Sequence, residues 1–283
     1  MGLLFTVIGT VTSLFEGVFI KRYNEKHNKG GFVFTGLVSW VCMLFFIITD
    51  KNGFYLPRDI WFYALIAGVL YCLASLTTYM ALGSGSFVIT MLVLSYTLVF
   101  SIGYGLFILN EKTSFNTWIG LTFILISIYF MRGVTGIKKQ VSIKWIICLV
   151  LSFFCAGMYG VLQRMQQIRF ADRCTNEFMV IALGLSGTIL LLIGLKSEKD
   201  DLAYVMKYGT VYVLGAGVAN GLTNMLIMVV NGMIAISIAA PLRAGSKIII
   251  SFLISTFIFK ERFYKRQILG VILGAIGLIL LSV

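Results

Sequence analysis

Phe107-Ile108-Leu109-Asn110-Glu111-Lys112 closes one long apolar run of this chain, and Phe257-Ile258-Phe259-Lys260-Glu261-Arg262 closes another 150 residues later. Both runs end on an acid followed at once by a base, and at the same offset Gly120 falls on Gly270. Upstream, at an offset of 149, Gly68-Val69 falls on Gly217-Val218, and near the starts of the two halves Gly17-Val18 resembles Gly160-Val161. The chain therefore reads as one unit written twice. Between these landmarks lie apolar runs near 3–20, 32–49, 60–82, 86–109, 117–131, 145–163, 178–195, 209–230, 233–259 and 267–283. At 1.5 Å per residue most are long enough for a hydrocarbon core of about 30 Å. The predicted fold is an all-α integral membrane protein of ten transmembrane helices, with residues 1–133 and 134–283 as its five-helix repeats. An odd number of crossings per repeat forces the second to insert upside down relative to the first, the arrangement by which transporters build two openings around one site.

Composition agrees. Of 283 residues, 59% are hydrophobic and 12% charged, whereas a soluble domain carries about 25% charged residues. The net charge of +12 is scattered over short loops, with no basic helix or ribbon clear of the membrane, which argues for anionic-lipid contacts and against nucleic acid. The five cysteines are an odd set without a C-x-x-C pair, so neither a disulfide framework nor a zinc site is expected, and no cofactor. His27, the lone histidine, reads as a solvated loop residue. The N-terminus is apolar at once, with no positively charged leader region or small-residue cleavage site, and its match to a myristoylation pattern at Gly2 and Thr6 reads as chance.

The acid-base step after the fourth and ninth helices, Glu111-Lys112 and Glu261-Arg262, followed each time by a Gly-containing apolar helix, resembles the EamA-type members of the drug/metabolite transporter superfamily. The resemblance covers nearly the whole chain: ten helices, five plus five, with tiny linkers between helices three and four and between eight and nine. It implies transport of small metabolites or drugs across a membrane. One departure stands out, since many such proteins carry Trp-Gly in the first helix where this chain has Glu16-Gly17. Small multidrug transporters, more distantly similar, use a first-helix glutamate as the site shared by proton and cationic drug.

Fifteen Lys and Arg follow odd-numbered helices and six follow even-numbered ones. The positive-inside rule then puts both termini outside the cell membrane, although proteins of the resembled family are more often drawn with both termini inside.

Charges inside a bilayer are costly and face a bundle interior or a wet cavity. Arg243 and Lys247 are four residues apart, on one face of the ninth helix, just after Pro241, which removes a backbone donor and predicts a kinked or broken helix. Together they suit an anion or carboxylate; alternatively they neutralise Glu16 or cap buried carbonyls. Glu16 shares a helical face with Gly9, Thr12 and Ser13. It reads either as a coupling or substrate-binding carboxylate or as the partner of Lys21 and Arg22 near the helix end. Asn220, Asn224 and Asn231 form one stripe on the eighth helix; Tyr71, Ser75 and Tyr79 form the matching stripe on the third; Tyr159 and Gln163 add another on the sixth. As a set they predict a polar cavity, the rival being helix–helix glue. Gly215-Ala216-Gly217 with Gly221 is not a nucleotide loop and reads as close helix packing. Gly270, Gly274 and Gly277 predict packing of the tenth helix on the fifth, within a monomer, or the face of a homodimer.

The favoured reading is a secondary transporter of a small polar metabolite carrying an anionic group, such as an amino acid or organic acid, working by alternating access with protons as a candidate coupling ion. Arg243, Lys247, Glu16, Asn220, Asn224, Tyr71, Ser75, Tyr159 and Gln163 are its candidate substrate-binding residues; no catalytic residue is expected. The rivals are a proton-coupled multidrug or cation antiporter centred on Glu16 and, in another class, a membrane enzyme or a non-transporting receptor. The charge bias generates a direct test. In a background lacking the native cysteines, Lys265→Cys is expected to resist impermeant thiol reagents in intact cells and Arg169→Cys to react with them; the reverse pattern inverts the topology.

Overall fold

The computed structural model describes residues 2–50, 53, 57–85, 87–110, 115–131, 142–170, 174–258 and 265–282. The acid-base steps at Glu111-Lys112 and Glu261-Arg262 lie outside these. The described residues are mostly helical, with no strand among them. In chain order the helices are α1 (Gly2–Lys26), α2 (Gly31–Thr49), α3 (Arg58–Ser84), α4 (Phe87–Ser95), α5 (Leu98–Gly103), α6 (Phe115–Met131), α7 (Ile143–Phe170), α8 (Thr175–Ser197), α9 (Asp201–Tyr204), α10 (Thr210–Met233), α11 (Ile236–Phe257) and α12 (Lys265–Ser282). Short π-helical stretches, Tyr104–Ile108 and Val205–Gly209, continue α5 and join α9 to α10. Seven helical stretches among the described residues are long and apolar enough to cross a membrane.

The surface is inverted relative to a soluble protein. Ile48 is 80% exposed, Val211 73% and Phe62 68%, while Ser39, Ser186 and Gln166 are fully buried. Lipid is as apolar as leucine, so outward apolar side chains cost nothing there, and polar ones turn inward. Many hydroxyls bond a carbonyl one turn back on their own helix, such as Thr6 to Gly2, Thr10 to Thr6 and Ser39 to Thr35, which satisfies them without a partner helix.

Helix pairing runs between the halves. The helix α1 packs on α10 and α3 on α7; α2 packs on α8, α4 on α11 and α6 on α12. The further contacts α3 with α8 and α2 with α10 are the same contact with the halves exchanged. Gly68 and Gly217, the glycines matched in sequence, sit at these two exchanged interfaces. A Cβ on Gly68 would lie 2.9 Å from the Ala182 carbonyl on α8, and one on Gly217 would lie 3.1 Å from the Val38 carbonyl on α2. Gly221 lies in the same way against Phe45 and Gly215 against Phe19, so this glycine series serves close packing as expected. The Gly270/Gly274 face packs on α6: Ser127 Oγ donates to the Gly270 carbonyl at 2.6 Å, and a Cβ on Gly274 would meet the Ser127 hydroxyl at 2.8 Å.

Three expectations change. Of the kink or break expected at Pro241, the break is absent: α11 runs through it without interruption. Pro241 sits in the second turn, where one intrahelical bond is lost but the helix is already established by packing. The interruption falls instead in the fourth apolar run, at Tyr96-Thr97. There the amides of Tyr96 and Thr97 bond three residues back, to Val93 at 3.0 Å and Leu94 at 3.4 Å, a 3₁₀-type tightening. Finally, α1 continues to Lys26, which puts Glu16 well inside the helix rather than near its end.

Gly68→Ala is expected to lower stability by about 1–3 kcal/mol, the ordinary cost of overpacking, read as a fall in melting temperature of the purified protein. Gly160→Ala, whose Cβ would meet nothing within 4 Å, is expected to cause no such fall.

Candidate functional site

The polar stripes of α3, α7 and α10 converge with Glu16 of α1 on one network. Asn220 Nδ2 donates to Glu16 Oε1 at 2.6 Å and to the Tyr71 hydroxyl at 2.6 Å. Its Oδ1 accepts from Cys42 Sγ at 3.2 Å and from Asn224 Nδ2 at 2.5 Å. Asn224 Nδ2 also reaches the Asn220 carbonyl at 3.1 Å, and Asn224 Oδ1 accepts from Tyr159 at 3.2 Å and from Gln163 at 2.9 Å. A side-chain amide has two donor hydrogens and two acceptor lone pairs. Both asparagines use all four. The rings of Tyr71 and Tyr159 lie 5.2 Å apart. The orientation of the Asn220 amide follows from Glu16, because an ionised carboxylate only accepts and would repel the amide oxygen.

Two adjoining cavities flank this network. A shallow lobe of about 190 Å³ lies toward the start of α1 and is bordered by Thr6, Thr10, Ser101, Gln163 and Arg243. A deep lobe of about 220 Å³ is bordered by Glu16, Tyr71, Ser75, Thr78 and Asn220. Ser13, Thr97, Tyr159, Asn224 and Lys247 border both. An engineered protein cavity of about 150 Å³ accommodates benzene, so each lobe has room for a small metabolite.

The structure thus brings Glu16, Asn220, Asn224, Tyr71, Tyr159 and Gln163 into one bonded cluster, with Ser75, Arg243 and Lys247 on the cavity wall. Ser75 spends its hydroxyl on the Cys72 carbonyl at 3.1 Å. Arg243 and Lys247 are half-buried, and among the described residues neither has a hydrogen bond or a carboxylate within 4.0 Å. Lys21 pairs with Glu25 at 3.9 Å and leaves Glu16 to Asn220. Asn231 continues the α10 stripe but borders neither lobe; it is buried with both amide atoms unbonded.

Beyond the deep lobe lies a cluster of buried aromatic rings. Tyr23 stacks on Phe34 at 4.2 Å, with Tyr79 beside both. Outside this cluster, second-half carboxylates clasp the N-terminus of α2. Asp201 Oδ2 accepts from the Gly30 amide at 3.0 Å, and Glu198 Oε2 from the Phe32 and Val33 amides at 3.1 and 3.3 Å. These are the amides a helix start leaves unbonded. Burial pushes the Glu198 carboxyl above its ordinary range despite those bonds.

Comparison with protein families finds that the EamA-like transporter family matches residues 1–133 and again 143–283. The chain belongs to the EamA-like transporter family. It is therefore a multi-pass membrane transporter of the drug/metabolite superfamily, with that family's two-repeat architecture. A solved structure, described only as the crystal structure of a protein, shares the fold with a TM-score of 0.70 at 14% identity, covering 99% of this chain and 98% of that one. No curated protein sequence matches.

Within this EamA-like chain the sequence left two contributors unremarked. Cys42 read as one of several cysteines in apolar runs, and nothing in its neighbours signals its bond to Asn220. Thr97 carried a usable signal, since it lies 150 residues before Lys247 and lines both lobes with it.

Asn220→Ala should orphan Glu16, Tyr71, Cys42 and Asn224 together. At about 1–3 kcal/mol per buried group left unpaired, it is expected to lower the melting temperature clearly. Ser75→Ala, which removes only a local bond, should not.

Proposed function

We propose that this chain is a secondary transporter of a small polar metabolite bearing an anionic group, such as an amino acid or organic acid, and that it works by alternating access. The observation that carries this reading is the pair of cations, Arg243 and Lys247, on a cavity wall with no carboxylate among the described residues bonded to either. The anion of the substrate would sit against them. Tyr71, Tyr159, Asn220, Asn224, Gln163 and Ser75 would orient the remainder, and Glu16 would serve as counter-charge and proton carrier. The exchange of helix partners between the halves supports ten crossings in two inverted repeats, divided near residue 133. The tight α6–α12 contact supports a monomer. The charge bias supports a cell-membrane location with both termini outside, so that the clasped end faces the cytoplasm.

One observation favours a second reading. Glu16 borders the deep lobe together with the Tyr71–Tyr159 ring pair, and a carboxylate beside aromatic faces suits an organic cation. Exchange of such a cation for protons is then the alternative.

Arg243→Gln separates the two. A lost charged hydrogen bond typically costs about 1.5–3 kcal/mol, or roughly 10- to 150-fold in affinity. Binding of an anionic substrate, found by thermal-shift screening, should weaken by about that factor, and by less in Lys247→Gln, whose flexible ammonium makes a less directional contact. The melting temperature without ligand should change little. A variant that folds poorly yet binds normally once stabilised would give the lead to the cation reading.

A further inference from the structure

The cavity's charges are divided between its lobes. Arg243 borders only the shallow lobe, Glu16 only the deep one, and Lys247 borders both. Lys247 interacts electrostatically with Glu16 on one side and Arg243 on the other, yet no carboxylate lies within 4.0 Å of it among the described residues. The hydrogen bond of Glu16 goes to Asn220 instead.

We infer that Lys247 is shared between Glu16 and the transported anion, so that a proton on Glu16 and an anion beside Arg243 bind together and cross the membrane in the same direction. This rests on the anion reading above and adds the sign of its coupling. With Glu16 ionised, its charge draws the ammonium toward the deep lobe and opposes an incoming anion. When the carboxylate takes a proton from water, the three groups go from a net charge of one positive to two positive. The four-carbon stem of Lys247 then leaves its ammonium free to join Arg243 on the anion. Linkage is reciprocal: whatever factor the proton adds to anion affinity, the anion adds to proton affinity. A cationic substrate would displace the proton and give exchange in opposite directions.

The other groups facing Glu16 do not compete for this role. They are Tyr71 on α3, Cys42 on α2, Tyr159 on α7 and the amide of Asn220 on α10. The three titratable ones are neutral near pH 7 in their ordinary state. Arg243 and Lys247 of α11 are the charges.

The test is titration calorimetry of the purified wild-type protein with L-lactate, a carboxylate ionised throughout mildly acid to mildly alkaline buffer. Pairs of buffers differing in ionisation enthalpy report the protons exchanged. The expected result is proton uptake on binding, and affinity tighter in acid by roughly 5- to 150-fold, the usual span of coupling between two sites. Lys247→Gln should bind weakly and lose most of that pH dependence, while Arg243→Gln should bind weakly and keep it. Glu16→Gln should bind alike at every pH with no proton uptake. Lactate binding without proton uptake in the wild type, or undiminished pH dependence in Lys247→Gln, overturns the shared-lysine inference and leaves the anion site standing. Failure of lactate to bind at any pH, with choline binding and releasing a proton, overturns both.

Discussion

The amide of Asn220 is the knot of this molecule. It ties α10 to Glu16 of α1, Cys42 of α2 and Tyr71 of α3, and through Asn224 to α7. A polar group left unpaired inside a bilayer-spanning bundle has no water to fall back on. A network of this kind is stabilising only when every member is satisfied, and these two asparagines leave no donor or acceptor over. That closure also isolates what it excludes. Arg243 and Lys247 stand outside this hydrogen-bonded network and border the cavity, where Lys247 also feels the charge of Glu16.

Around this knot the two halves exchange partners, and the glycines make the exchange possible. Gly68 admits a carbonyl of α8 and Gly217 a carbonyl of α2, each time where any side chain would collide with backbone. The ends of α2 and α8 show the same pattern with unequal strength. At one end Glu198 and Asp201 hold three backbone amides of the first half. At the other, Asp50 takes the Asn176 side chain at 3.2 Å. The strongly clasped end is also the one where Tyr23, Phe34 and Tyr79 cluster, while the shallow lobe lies toward the other.

The fold was legible because lipid permits so few solutions. Each apolar run in the sequence is largely helix in its described part, the linkers at Gly85 and Ile234 are as short as read, and the matched glycines found matched roles. The site was legible by stripe: four-residue spacings placed Tyr71, Tyr159, Gln163, Asn220 and Asn224 on inward faces, and the structure closed them into bonds. What the sequence hid was choice among partners. Glu16 lies on the same helix as Lys21 and Arg22, and spacing alone offers those cations before it offers Asn220, 204 residues away. Pro241 suggested a break that is not there for a related reason. One missing amide hydrogen counts for little when the helix is packed on α1, α4 and α12, whereas Tyr96-Thr97, with no proline or glycine, yields where packing lets it.

The break and the charges line the same cavity. Helix α11 carries Arg243 and Lys247 on an unbroken backbone; α4, its packing partner and sequence counterpart, carries Val93 and Thr97 at the matching positions and interrupts its helix there. An arginine or lysine facing lipid at mid-bilayer costs roughly 2.5–3.5 kcal/mol, and irregular backbone at that depth is tolerated only against protein or a wet cavity. Each half thus holds one expensive feature, and the cavity between them is what makes both tolerable. A fold doubled in sequence has become unequal in chemistry, with fixed charge supplied by one repeat and a loosened helix by the other. Thr97, at the loosened helix, borders both lobes together with Lys247.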